Sequence, residues 1–69
     1  MDKKSAREFS GNVLNAIQEV SKALLIAERS SSKDEMALIK NHVGHLIARL
    51  DTLLRETAYK QHPELDHLL

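Results

Sequence analysis

The sequence predicts an all-α protein, an antiparallel two-helix hairpin, and three observations carry that prediction. The 69 residues include only two glycines and one proline, and most of the others favour helix. Apolar residues recur at alternating spacings of three and four, and no stretch has the alternating period of a strand. Two Ser-x-x-Glu sequences mark two helix starts. We expect a single domain over residues 1–69, with helices at about residues 5–29 and 33–61.

The first helix is predicted to begin at a capping box formed by Ser5 and Glu8, and the second at a capping box formed by Ser32 and Glu35. Between them lies the triple serine of residues 30–32. Serine hydroxyls compete with helical backbone hydrogen bonds, so the first helix should end there. The connection is only a few residues long, which forces the two helices to lie side by side and antiparallel.

The C-terminal "PELDHLL" is predicted to form a short tail or turn. Pro63 either ends the second helix or opens a new turn. The leucines of the tail can dock on the open end of the hairpin near Phe9 and Tyr59, or they can serve as a short linear motif for another protein. Docking is the interpretation we favour.

The spacing of the apolar residues predicts the seam between the two helices. Helix 1 would contribute mostly small side chains and helix 2 mostly large ones, so that the two surfaces interdigitate at close range. In helix 1 the predicted seam comprises Ala6, Phe9, Val13, Ala16, Val20, Ala23 and Ala27. In helix 2 it comprises Met36, Ile39, Val43, Leu46, Leu50 and Leu53.

A second apolar set predicts an interface with another chain, because a lone hairpin would expose it as a contiguous stripe on one flank. Gly44 lies on the same flank, where a small residue lets a second helix approach closely. Two copies joined there would form a four-helix bundle, so we expect a homodimer. The alternative occupant is a helix of another protein. The predicted interface consists of Leu14, Ile17, Leu24, Gly44, Ile47 and Leu54.

Composition limits the classes of function. Ten basic and ten acidic residues cancel, so the chain has no overall field to attract nucleic acid or anionic lipid. The absence of cysteine excludes disulfides and fits a reducing compartment. The longest apolar run, residues 23–27, is far shorter than the roughly 20 residues that span a bilayer. No apolar signal sequence follows the charged N-terminus. We therefore expect a cytoplasmic protein that does not enter a membrane.

Histidines placed three apart raise the question of a metal site. His42 and His45 lie on the polar flank, and Glu19 should approach His42 across the hairpin. Zinc needs three or four ligands, and these residues make a thin site at best, while exposed histidines on a polar surface are far commoner. We expect no metal and no cofactor. The sequence also lacks a Ser-His-Asp set, a glycine-rich phosphate loop and a cysteine nucleophile, so we expect no enzymatic activity.

The pattern as a whole predicts a small protein–protein interaction module that acts as an adaptor, a regulator or a chaperone-like subunit. The alternative is a dimer that binds RNA or DNA through a basic open end, with Lys3, Lys4, Arg7, Arg55 and Lys60 as the contacts. In length and layout the chain resembles the plasmid repressor-of-primer proteins, which are helical-hairpin dimers that bind RNA. The neutral net charge and the two aromatic residues, Phe9 and Tyr59, weigh against this alternative.

Overall fold

The computed structural model describes residues 1–68, with side chains described for residues 1–66. Helix α1 comprises Lys3–Ser30 and helix α2 comprises Lys33–Glu56. A four-residue helix, α3, follows at Ala58–Gln61, and a 3-10 helix occupies Pro63–Leu68. The described residues contain no strand. Helices α1 and α2 pack against each other as a hairpin about 45 Å long and 16 to 17 Å across, which confirms the predicted all-α hairpin.

Helix α1 begins two residues earlier than predicted. Its N-cap is Asp2, whose side chain accepts a hydrogen bond of 2.7 Å from the Ser5 N–H. Ser5 and Glu8 therefore lie inside the helix, and the capping box predicted for them is wrong. Asp and Ser are comparable N-caps, so the local pattern alone does not choose between the two starts. The helix ends at the triple serine, as predicted, where the Ser31 N–H donates to the Ala27 carbonyl.

Helix α2 begins at the predicted capping box. The Ser32 hydroxyl accepts a hydrogen bond of 3.2 Å from the Glu35 N–H, and the Glu35 carboxylate accepts from the Ser32 backbone N–H at 3.5 Å. These two bonds satisfy donors that a helix start otherwise leaves unpaired. Only Ser31 and Ser32 connect the two helices. The chain therefore reverses direction there, and α2 lies antiparallel to α1.

Helix α2 ends at Glu56 rather than near residue 61 as predicted. The chain bends at Thr57, whose hydroxyl donates to the Leu53 carbonyl at 2.6 Å and whose N–H donates to the Leu54 carbonyl at 3.4 Å. A threonine that bonds back to the preceding turn commonly bends a helix. The bend redirects α3 onto the open end of the hairpin, opposite the Ser31–Ser32 connection.

The buried core lies at this open end. It comprises Ala6, Leu54, Ala58, Tyr59 and Leu65, and it is bordered by the partly buried Phe9, Val13 and Leu14. Leu65 is only 3% exposed, so the tail docks on the hairpin, and the favoured interpretation of "PELDHLL" is confirmed at that residue. The side chains of Leu68 and Leu69 lie outside the described residues.

The predicted seam was wrong at four positions. Ala16 and Ala23 are exposed in α1, and Leu46 and Leu53 are 44% and 39% exposed in α2. The residue that follows each of them is turned inward instead: Ile17, Leu24 and Ile47 are half-buried, and Leu54 is fully buried. Both helices are therefore rotated from the predicted orientation. The rotation exchanges alanine for isoleucine or leucine on α1, and so it buries more apolar surface inside a single chain.

Candidate interaction surface

The structure places most of the predicted interface within the hairpin itself. Ile17, Leu24 and Ile47 are half-buried between the helices, and Leu54 is 1% exposed. Leu14 is half-buried against the core cluster. Gly44 is exposed, and a methyl group added to it would meet no atom within 4 Å. Contact of these six residues with a second chain stays a prediction, but in this hairpin they no longer form an exposed apolar stripe.

The exposed apolar side chains gather on the other flank. In a helix, residues one position before the inward-facing residues lie on one side of the seam, and residues one position after lie on the other. Because α1 and α2 are antiparallel, the preceding positions of both helices lie on the same side of the hairpin. Ala16, Ala23, Leu46 and Leu53 each precede an inward residue. We name this surface the alanine–leucine face.

Two further exposed apolar residues lie on the same flank nearer the connection but farther from the seam, because Ile26 is one heptad after Glu19 and Leu38 is one turn before His42. Ile26 precedes the half-buried Ala27, and Leu38 precedes the half-buried Ile39, and each is 59% exposed. Four of the six large apolar side chains exposed among the described residues therefore lie on this flank: Ile26, Leu38, Leu46 and Leu53. Of the other two, Leu25 follows an inward residue and lies on the opposite flank, and Met1 is at the N-terminus.

A polar rim borders the alanine–leucine face on its outer side. Its members come directly before every second inward-facing residue of each helix. They lie about 40° farther from the seam than the alanine–leucine face. They are exposed, and they comprise Asn12, Glu19, His42, Arg49 and Glu56. Glu19 pairs with Lys22 along the same helix at 3.1 Å. An apolar strip with a polar border has the composition usual for a protein–protein interface.

Residue size could have revealed this face from the sequence. At each alternative inward position α1 offers a choice between alanine and a larger residue, namely Ala16 or Ile17 and Ala23 or Leu24. An orientation that buries the larger residues gains more from the hydrophobic effect. Either choice satisfies the three-and-four spacing, so periodicity alone does not show that Ile17 and Leu24, rather than Ala16 and Ala23, face inward.

The predicted basic contacts lie at the open end, as expected, but carboxylates lie among them. Lys3 pairs with Glu64 at 3.5 Å, and Arg55 pairs with Asp51 at 3.0 Å. Both pairs are well exposed and contribute little stability. Lys4, Arg7 and Lys60 are exposed. Nucleic-acid contact by these five residues stays a prediction, and the neighbouring carboxylates weaken the positive potential that it requires.

Polar contacts join the tail to the N-terminus. The Met1 ammonium donates to Gln61 Oε1 at 2.8 Å, and His62 Nε2 lies 3.0 Å from the Met1 carbonyl oxygen. The backbone N–H of Glu64 and the nearby Lys3 hold the pKa of the Glu64 carboxyl below its ordinary value. These exposed contacts surround the docked Leu65 and close the open end of the hairpin.

Tyr59 is an unusual polar group within the core. Its side chain is 5% exposed, and its hydroxyl has no hydrogen-bond partner among the described residues. Burial raises the pKa of the Tyr59 hydroxyl, and the charges of Asp66 and Asp51 raise it further. The ring stabilises the core, while burial of the unpaired hydroxyl costs free energy.

The predicted histidine pair does not belong to a cluster of metal ligands among the residues with described side chains. His42 and His45 are exposed, and no group of three or more potential metal ligands lies together in the part of the chain with described side chains. His45 and Arg49 border a shallow depression that also involves Thr52 and Leu53. All the residues that line this depression belong to α2, so its opposite side is open to solvent.

No family model, curated protein or solved structure shows significant similarity to this chain. Across the described residues, none of the helices combines the length and apolar character that a membrane-spanning helix requires.

Proposed function

We propose that this protein is a small non-enzymatic protein–protein interaction module that acts as a helical-hairpin homodimer. The observation that supports this proposal is the distribution of exposed apolar side chains. Ile26, Leu38, Leu46 and Leu53 share one flank of the hairpin instead of being scattered. Single exposed leucines are ordinary on a protein surface, whereas several exposed apolar side chains on one flank are typical of a binding surface.

The uneven core supports the same proposal. Every fully buried residue among those described belongs to the N-terminal turns of α1, the end of α2, α3 or the tail. Between Gly11 and Leu53 the described side chains are half-buried or exposed. Small domains bury a limited fraction of their surface and commonly gain stability from association. A second chain along the flank would complete the burial that the single hairpin leaves unfinished.

Mass action gives the test of this proposal. A folded dimer that unfolds to two separate chains has a melting temperature that rises with protein concentration. We expect circular dichroism melts of the full chain, recorded over a hundredfold range of concentration, to shift to higher temperature as concentration increases. A melting temperature independent of concentration over that range would contradict the homodimer. Gel-shift titration with structured RNA and duplex DNA in low salt tests the competing nucleic-acid function, for which a shift abolished by added salt is the diagnostic result.

A further inference from the structure

We propose that the alanine–leucine face is where a second copy of this chain docks, with α1 of each copy lying on α2 of the other. This inference rests on the proposed homodimer and specifies its surface. It assigns the contact to the flank opposite Gly44. The side-chain sizes of the face and its polar border identify a second copy of the chain as the occupant.

The face is large enough for a weak, reversible dimer. The exposed apolar side chains of α2, from Leu38 to Leu53, span 15 residues, or about 22 Å at 1.5 Å per residue, which is about half of the 45 Å length of the hairpin. With the 17 Å width of the hairpin the projected area is on the order of 400 Å², about half of the roughly 800 Å² per partner of a standard interface.

The sizes of the side chains on the face are complementary to each other. The exposed positions next to the seam are alanines in α1, at Ala16 and Ala23, and leucines in α2, at Leu46 and Leu53. Ala16 and Leu46 are almost equally far from the Ser31–Ser32 connection, so they lie at nearly the same height in the hairpin. A twofold axis along the length of the hairpin brings Ala16 of each copy opposite Leu46 of the other. Large side chains then meet small ones at both symmetry-related contacts.

The polar border is compatible with the same arrangement, because the pairs that it forms bring no like charges together. With α1 lying on α2 of the second copy, Glu19 comes to the height of His42 in the other chain, and Asn12 comes close to the height of Arg49. The alternative symmetry places α2 on α2. Centred between Leu46 and Leu53, that arrangement brings Arg49 against Arg49 of the second copy, and like charges placed together across an interface are costly.

Paired glutamate substitutions test the face. Ala16→Glu and Leu53→Glu introduce charge on the alanine–leucine face, whereas Ala37→Glu and Leu25→Glu introduce the same charge at exposed residues of the opposite flank. Ala16 and Ala37 are exposed alanines within helices, so neither substitution removes core packing. In size-exclusion chromatography with light scattering, we expect the wild type and both controls to have twice the chain mass of 7.8 kDa. Ala16→Glu and Leu53→Glu should have the single mass while keeping their helical circular dichroism.

The outcomes separate this inference from the proposed function. A dimeric wild type that stays dimeric with Ala16→Glu overturns the face and leaves the homodimer standing. Loss of the dimer in Ala37→Glu or Gly44→Leu, with Ala16→Glu unaffected, also overturns the face and assigns the contact to the flank predicted from the sequence. A wild type that is monomeric at every concentration overturns both the face and the homodimer.

Cross-linking tests the relative orientation, and the absence of native cysteine makes each introduced thiol unique. Chains carrying Ala16→Cys and chains carrying Leu46→Cys are mixed, refolded together and treated with a short bis-maleimide. We expect the mixed pair to cross-link at least tenfold faster than a mixture of Leu25→Cys and Leu46→Cys chains. Preferential cross-linking of Leu46→Cys to Leu53→Cys chains would show α2 lying on α2 and would overturn the proposed arrangement.

Discussion

At the scale of single residues, burial of the Tyr59 ring stabilises the protein, whereas burial of its hydroxyl destabilises it. Its ring packs in the core with Leu54 and Leu65, while its hydroxyl has no hydrogen-bond partner among the described residues. A buried hydroxyl without a partner costs roughly 1 to 3 kcal/mol. The residue was identified from the sequence as one of two aromatics, but its burial depends on the bend at Thr57, which the heptad pattern does not show.

Replacement of Tyr59 by phenylalanine should raise the free energy of unfolding by about 1 kcal/mol, because the ring is kept and the unpaired hydroxyl is removed. Urea titration of the wild type and Tyr59→Phe at neutral pH and equal concentration measures the difference. The same pair of proteins should diverge further in alkali. The raised pKa of Tyr59 means that its contribution is complete below its ordinary value of 10.0 and is lost as the pH rises through the higher folded-state value.

The phenylalanine variant lacks this alkaline loss, so its advantage over the wild type should grow above pH 10.0. All other titrating groups are common to both proteins and cancel in the comparison. A Tyr59→Phe protein that is less stable than the wild type at neutral pH would mean that the hydroxyl has a hydrogen-bond partner.

Gly44 provides a second prediction at this scale. It lies inside α2, its φ is not positive, and an added methyl group would meet nothing within 4 Å. Gly44→Ala should therefore stabilise the protein by roughly 0.5 to 1 kcal/mol through the better helix propensity of alanine. Gly11 has the same properties in α1, so Gly11→Ala is the matched control in urea titrations. Destabilisation by Gly44→Ala alone would indicate that another chain contacts this position.

At the scale of the elements, the sequence determines the two helices better than their orientation. The capping box at Ser32 and the short connection are local signals, and local signals were sufficient to predict an antiparallel hairpin. Which residues of each helix face the other helix depends on a comparison between two nearly equivalent seams. Half-burial of Ile17 or Leu24 in place of an alanine gains on the order of 1 kcal/mol at each position, from about 0.8 kcal/mol per fully buried methylene. This difference in side-chain size chooses the orientation, and the three-and-four spacing does not contain it.

Substitution of Leu65 tests whether the tail shields the core. Leu65 is the anchor of the segment after Thr57, and truncating a buried leucine costs about 2 to 5 kcal/mol. Leu65→Ala should release the tail from the hairpin and expose Tyr59 to water. The pKa of Tyr59, followed by tyrosinate absorbance, should then fall back toward its ordinary value, and proteolysis of the tail should accelerate.

The matched control is Leu25→Ala, which truncates a leucine that is 58% exposed and should leave the Tyr59 titration unchanged. Because Tyr59 is the only tyrosine and tryptophan is absent, the absorbance signal has a single origin. An unchanged Tyr59 titration in a folded Leu65→Ala protein would show that the tail does not shield this ring.

At the scale of the whole molecule, the tail covers one end of the hairpin, and one flank keeps exposed apolar side chains. The tail packs on the end opposite the connection between the helices, and hydrogen bonds there join Gln61 and His62 to Met1. The alanine–leucine face retains the exposed Leu46 and Leu53. The sequence correctly indicated an excess of apolar side chains over what a single seam can bury. It placed the exposed part of that excess on the flank of Gly44, whereas most of the exposed large apolar side chains lie on the other flank, because the rotation of α1 and α2 depends on contacts across the pair. Which flank a second chain contacts stays a prediction.

Sedimentation equilibrium of the wild type over a wide concentration range tests the central claim, that a second copy of this chain associates with the hairpin. The proposed homodimer predicts a mass that approaches twice 7.8 kDa at high concentration and falls toward the single-chain value on dilution. A mass equal to the single chain at every concentration would contradict it.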